Sequence, residues 1–247
     1  MGWETAAYFI VCVFAAAIVR GYSGFGFSML AVTSLSLVLT PAEVIPPIFM
    51  MEIAASISLL PGIWKDVHWR ALGWLSLGCL AATPIGVWCL ASVPAAPMKV
   101  AMGFAVLVAV ALLWFGYARK SMPGRAATLV TGGISGLLNG AFGIGGPPVV
   151  LFFFSSPAGT AIGRASLIAF FIGTDAMALG FLAREGLVTS DAFTRFLMLV
   201  PPLLAGQWLG ARSFKTADPA TFRRWVLALL AALAVSTGVQ GVLALAE

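Results

Sequence analysis

A short glycine-rich break interrupts an apolar run twice in this chain, the second time 119 positions after the first. The first is Arg20-Gly21-Tyr22-Ser23-Gly24-Phe25-Gly26-Phe27, and the second is Asn139-Gly140-Ala141-Phe142-Gly143-Ile144-Gly145-Gly146. Unwound backbone at membrane depth exposes N–H and C=O groups that lipid cannot satisfy, so it survives only when buried in protein or lining a wet cavity. Paired breaks at matching positions of two halves are also how discontinuous helices build a binding site near the bilayer midplane.

The surroundings of the breaks leave no soluble alternative. Of 247 residues, 61% are hydrophobic and 9% charged, against roughly a quarter charged in soluble chains. The apolar runs are too long for tilted barrel strands. We expect an all-α polytopic membrane protein with eight to ten hydrophobic segments: 3–20, 24–39, 43–62, 70–92, 97–117, 127–141, 144–157, 160–184, 190–212 and 221–244. The short segments beside the breaks read either as tilted crossings or as halves of re-entrant hairpins. The first run lacks a basic start and is expected to be retained, not cleaved as a signal peptide. Cys12, Cys79 and Cys89 fall in apolar runs and read as structural thiols. Their spacing fits no metal site, and His68 is a lone histidine, so no metal or other cofactor is expected. The net charge of +5 is not gathered into a basic block, which argues against a nucleic-acid partner.

Charge fixes an expected orientation. The stretch 118–125 carries Arg119, Lys120 and Arg125 and is placed in the cytoplasm. With an odd number of crossings in each half, the loops holding Lys65 and Arg70, and Arg212, Lys215, Arg223 and Arg224, also fall inside. Both termini then lie outside. Four crossings per half would export the 212–224 loop. The odd count makes the halves antiparallel, the inverted-repeat plan, with residues 1–117 and 126–247 as the repeats and 118–125 as linker. Thr83-Pro84-Ile85-Gly86-Val87-Trp88 against the stretch ending Gly206-Gln207-Trp208, and Pro97 against Pro219, extend the match at nearly constant offset.

With these features the chain resembles the sulfite exporter TauE/SafE family of membrane transporters. The resemblance is carried by Gly21-Tyr22-Ser23-Gly24-Phe25-Gly26, by Gly132-Gly133-Ile134-Ser135-Gly136 and by Gly143-Ile144-Gly145-Gly146-Pro147-Pro148. It implies a bacterial inner-membrane transporter of sulfur-containing anions such as sulfite, organosulfonates or thiosulfate. Partners would be a small anionic substrate and membrane lipid, with a homodimer left open. The first half departs from the pattern, having Phe27-Ser28 where Gly146-Pro147 stand in the second.

The candidate site is the break itself. Gly143, Gly145 and Gly146 allow a sharp turn and close approach to backbone N–H groups, and Pro147 suits the first turn of the next helix. The orphan amides and positive dipole end of that helix favour an anion. Gly24 and Gly26 would present the helix from Phe27 onward in the same way, the two starts facing each other. Tight helix packing through small residues is the competing reading. Arg20 and Asn139 hold equivalent positions ahead of the breaks. Arg20 either grips the anion or snorkels to the cytoplasmic interface; Asn139 either binds ligand oxygens or caps unwound backbone. Glu52 and Asp175 are the acidic residues near the middle of long apolar segments and are candidates for proton coupling, against the alternative of a buried hydrogen-bonded acid.

Three other classes were weighed. Gly21-Tyr22-Ser23-Gly24 and Gly133-Ile134-Ser135-Gly136 match the Gly-x-Ser-Gly loop of rhomboid proteases, but His68 lies in a charged loop and no embedded base accompanies the serines. No enzyme is expected. A passive anion channel shares the helix-dipole site but ignores the proton gradient. A non-transporting membrane scaffold leaves two broken helices without purpose.

Overall fold

The computed structural model describes residues 2–115, 122–154, 159–213 and 219–246. Arg119, Lys120, Lys215 and the first part of the 118–125 stretch lie outside the described residues, as do the last residues of the segments 97–117 and 144–157. Among the described residues there are ten α-helices, one 3-10 turn (Trp64–Asp66) and no strand. The helices are α1 (Trp3–Ser23), α2 (Phe27–Leu35), α3 (Pro41–Ile63), α4 (Trp69–Ser92), α5 (Ala95–Phe115), α6 (Arg125–Phe142), α7 (Gly146–Phe154), α8 (Thr160–Arg184), α9 (Ser190–Ser213) and α10 (Pro219–Ala246). Six of them contain stretches long and apolar enough to cross a membrane: α1, α3, α4, α5, α8 and α10. This is an integral membrane protein. Its outer surface bears large apolar side chains, among them Phe104, Trp114, Phe115, Trp208 and Trp225, which a water-soluble surface would not tolerate in such number.

Both segments beside the breaks are nine-residue helices, α2 and α7. At 1.5 Å per residue such a helix is far shorter than the ~30 Å hydrocarbon layer. Each follows a long helix that ends on a left-handed glycine. Gly24 (φ 82°) closes α1, its N–H donating to the Arg20 carbonyl at 2.7 Å. Gly143 (φ 67°) closes α6, its N–H donating to the Asn139 carbonyl at 2.8 Å. The first break needs a second left-handed residue, Gly26 (φ 89°), to start α2. A side chain at either φ would be strained. Pro97 stands third in α5, which begins at Ala95, while Pro219 opens α10.

Helices α1 and α9 pack together, as do α4 and α6, α3 and α8, and α5 and α10; α3 also touches α9, and α4 touches α8. The α4–α6 contact is backbone against backbone. A Cβ added to Gly132, Gly136 or Gly140 of α6 would fall within 2.1–2.5 Å of the carbonyls of Leu75, Cys79 and Thr83 on α4. Gly206 and Gly210 of α9 meet the Phe14 and Ile18 carbonyls of α1 in the same way. Lipid supplies little hydrophobic drive between helices, so this close approach is where they gain contact energy. Gly132 and Gly136, among the residues that carry the family resemblance, therefore serve packing.

Candidate functional site

The last turns of α1 and α6 bring Arg20 and Asn139 to the breaks, and each meets a carboxylate from the following long helix. Arg20 is 1% and Glu52 2% exposed. The Arg20 Nη1 donates to Glu52 Oε2 of α3, and its Nη2 donates to the Ser56 hydroxyl one turn further along. Asn139 Nδ2 donates to Asp175 Oδ1 of α8 at 2.9 Å, with Asn139 3% and Asp175 2% exposed. Arg20 to Ser56 and Asn139 to Asp175 span the same 36 positions. The four candidate polar residues are thus sealed from solvent and joined in two pairs.

Arg20 does not reach outward to the interface. It lies inside the protein, with two partners on α3. Asn139 does cap unwound backbone: its Oδ1 accepts the Gly145 N–H at 3.2 Å while its amide donates to Asp175. At the first break Glu52 takes the corresponding part, Oε1 accepting the Ser28 N–H at 3.2 Å in the first turn of α2. The expected picture of free amides at both helix starts is corrected here, because the Ser28 and Gly145 amides are held by the protein's own side chains. The two starts are also unequal. Pro147 and Pro148 carry no N–H, so the first three residues of α7 offer one amide, that of Gly146, whereas Phe27, Ser28 and Met29 of α2 offer three.

Serines absorb the remaining strain of unwinding. The Ser23 hydroxyl lies 2.7 Å from both the Val19 and Phe25 carbonyls and accepts the Phe25 N–H at 3.3 Å. The Ser135 hydroxyl donates to the Gly145 carbonyl. The serines of the two Gly-x-Ser-Gly matches thus supply the hydrogen bonds that broken helices lose. His68 accepts the Ala71 N–H at 3.2 Å through Nδ1, at the start of α4, well separated in role from either serine.

Sequence reasoning missed two participants. Ser56 of α3 meets Arg20 one turn past Glu52, and nothing local marks that serine for the contact. Arg164 of α8 donates from Nη2 to the Gly21 carbonyl at 3.4 Å, and its Cγ lies 2.7 Å from where a Cβ on Gly24 would stand. The available signal was a basic residue five positions into an apolar segment, where a charge is costly.

Two hollows lie elsewhere. One of about 840 Å³ is lined by Ile57, Leu60, Gly62, Trp64, Lys65 and Asp66, at the end of α3 beyond Ser56. The other, about 370 Å³ and entirely apolar, runs between α5 and α10. Among the described residues no cluster of His, Cys, Asp or Glu could hold a metal ion.

Long apolar helices around two buried breaks, each with a polar pair at its core, define the class: a polytopic helical membrane protein. The chain belongs to the Sulfite exporter TauE/SafE family, whose model matches residues 8–237, a family of transporters and not of enzymes. It is 30% identical over 223 residues to the "Probable sulfite/organosulfonate exporter TauE" of Cupriavidus necator, covering 87% of this chain and 86% of that protein. No solved structure matches.

Proposed function

We propose that this protein is a secondary transporter, working as an exporter, of small sulfur-containing anions such as sulfite or organosulfonates. It moves them by alternating access between two inverted repeats, residues 1–117 and 126–247, joined by a cytoplasmic linker at 118–125. The membrane is the bacterial inner membrane, with both termini periplasmic. The observation that carries the reading is the buried Arg20–Glu52 pair at the start of α2, repeated with an amide in place of the guanidinium by Asn139–Asp175 at the start of α7.

Reciprocal packing supports the repeat. α1 lies on α9 as α6 lies on α4, and α3 and α8 face each other. Gly86 of α4 is seated on α6 at the Leu137 carbonyl, as Gly206 of α9 is seated on α1 at the Phe14 carbonyl. The family and the named relative support a small sulfur anion as substrate. In this reading Arg20 and the start of α2, from Phe27 to Met29, bind the anion's oxygens on one side, with Gly24 and Gly26 shaping the turn that presents them. Gly143, Gly145, Gly146, Pro147 and Asn139 shape the other. Glu52 and Asp175 are the groups through which a proton gradient couples to anion movement.

The test is flux into proteoliposomes with a panel of sulfur anions, with and without a pH gradient. Saturable flux of sulfite or a sulfonate that responds to the gradient is expected. Flux indifferent to the gradient would indicate a channel, and no flux of any sulfur anion would leave a scaffold. Flux unchanged by both Asp175→Asn and Glu52→Gln would remove the carboxylates from the mechanism.

A further inference from the structure

We propose that the Glu52 carboxylate is a tethered counter-anion: it occupies the position an oxyanion takes against Arg20 and the start of α2, and the transported anion binds there by displacing it. This rests on the transport reading above and specifies how its site is kept closed.

The two oxygens of Glu52 are used separately. Oε2 takes the Arg20 guanidinium and Oε1 takes the Ser28 amide. A guanidinium and a helix-start amide offered to two oxygens of one anion are the recognition chemistry of a small oxyanion. A sulfite or sulfonate presents the same two oxygens and one more. Arg20 has capacity for that third oxygen: its Nε is buried and has no hydrogen-bond partner, although the side chain has five N–H donors. The start of α2 has further capacity, since Phe27 and Met29 carry N–H groups on either side of Ser28, whereas Pro147 and Pro148 leave the second start the Gly146 amide alone. That second break also lacks a displaceable charge pair, because the residue in the place of Arg20 is the neutral Asn139, which itself caps the Gly145 amide. The exchangeable site is therefore the first break.

A carboxylate on a packed helix competes with free anion without being diluted, so it lowers the apparent affinity of the protein by the fraction of time it vacates the site. If Glu52 leaves Arg20 about 10% of the time or less, affinity is reduced about tenfold or more. The same competitor returns to Arg20 when the anion leaves, which favours release over trapping.

The experiment uses the full chain in lipid nanodiscs, with radiolabelled sulfite as the probe, read by equilibrium binding and by sulfite-dependent thermal unfolding. Glu52→Gln removes the competing charge. It is expected to bind sulfite at least about tenfold more tightly than the wild type. It is also expected to unfold at lower temperature without ligand, because Arg20 loses its counter-charge, and to recover more of that loss with sulfite than the wild type gains. Glu52→Asp, one methylene shorter and unable to span both partners, is expected to show a smaller gain. It carries the test if the glutamine variant does not fold. A wild type that binds and transports sulfite while neither variant gains affinity overturns this inference and leaves the transport reading intact. Lowered stability without sulfite-dependent recovery also overturns it, reducing Glu52 to a structural partner. A wild type that neither binds nor transports any sulfur anion overturns both.

Discussion

Gly132 and Gly133 are neighbours on α6, and the structure assigns them opposite tolerances. A Cβ on Gly132 would stand 2.1 Å from the Leu75 carbonyl oxygen, 2.8 Å from its carbon and 2.9 Å from its Cα. All three are backbone, so no rotamer change relieves the clash, and α4 and α6 must separate by about 1 Å before ordinary contact is restored. Overpacking of this kind costs about 1–3 kcal/mol, and the other glycines of the same stripe lose their close contact together, so Gly132→Ala is expected at the upper end. On Gly133 the nearest atom is 3.8 Å away, which is ordinary contact. Alanine there gains up to about 1 kcal/mol of helix propensity. Thermal unfolding in nanodiscs, followed by tryptophan fluorescence, should place Gly132→Ala below Gly133→Ala by roughly 6–16 °C, at 2–4 °C per kcal/mol for a chain of this size. Displacing α6 also moves Asn139 away from Asp175, so sulfite flux should fall in the first variant and persist in the second. Equal stability of the two variants, or greater damage from Gly133→Ala, would refute the backbone-contact account.

Other perturbations act on the breaks directly. Gly24→Ala puts a side chain at φ 82° and within 2.7 Å of the Arg164 stem; a loss of about 1–2 kcal/mol from the left-handed conformation is expected, with reduced flux as Arg164 gives up the Gly21 carbonyl. Gly145→Leu meets the Asn139 side chain, whose Oδ1 lies 2.9 Å from the new Cβ. It should abolish transport while the protein still inserts, and retained flux would show that this break serves packing alone. Asn139→Ala removes both the cap on Gly145 and the donor to Asp175, and a destabilisation of about 1–3 kcal/mol is expected from the unsatisfied groups, measurable by the same thermal assay.

Much of the fold was legible because a membrane leaves few choices. The ten apolar segments coincide with ten helices to within a few residues, from 70–92 against Trp69–Ser92 to 160–184 against Thr160–Arg184, since apolar length and glycine or proline punctuation are strong signals in lipid. Arg20 and Asn139 stood out by their equivalent positions ahead of the breaks, Glu52 and Asp175 by the cost of a charge in an apolar segment, and the structure brings them into pairs. Who pairs with whom was not legible. The Arg20–Glu52 contact joins residues 32 positions apart, and nothing local distinguishes a carboxylate awaiting a proton from one holding an arginine. Donor amides from Phe27 onward were expected, but not that the Glu52 carboxylate holds the one on Ser28, a contact between residues 24 positions apart. The two arms of the break also looked more alike than they are. Proline was read at Pro147 for its fit to a first helical turn, and its missing N–H makes the second start poor in donors.

The central claim is that a sulfur oxyanion binds between Arg20 and the start of α2 in place of Glu52. The most direct measurement is a diffraction structure of the protein with 2-bromoethanesulfonate, locating the bromine by its anomalous signal. The account predicts the sulfonate within hydrogen-bond reach of the Arg20 guanidinium and the Ser28 amide, with the Glu52 side chain rotated away from both. A sulfonate seated elsewhere while Glu52 still holds Arg20 would contradict it.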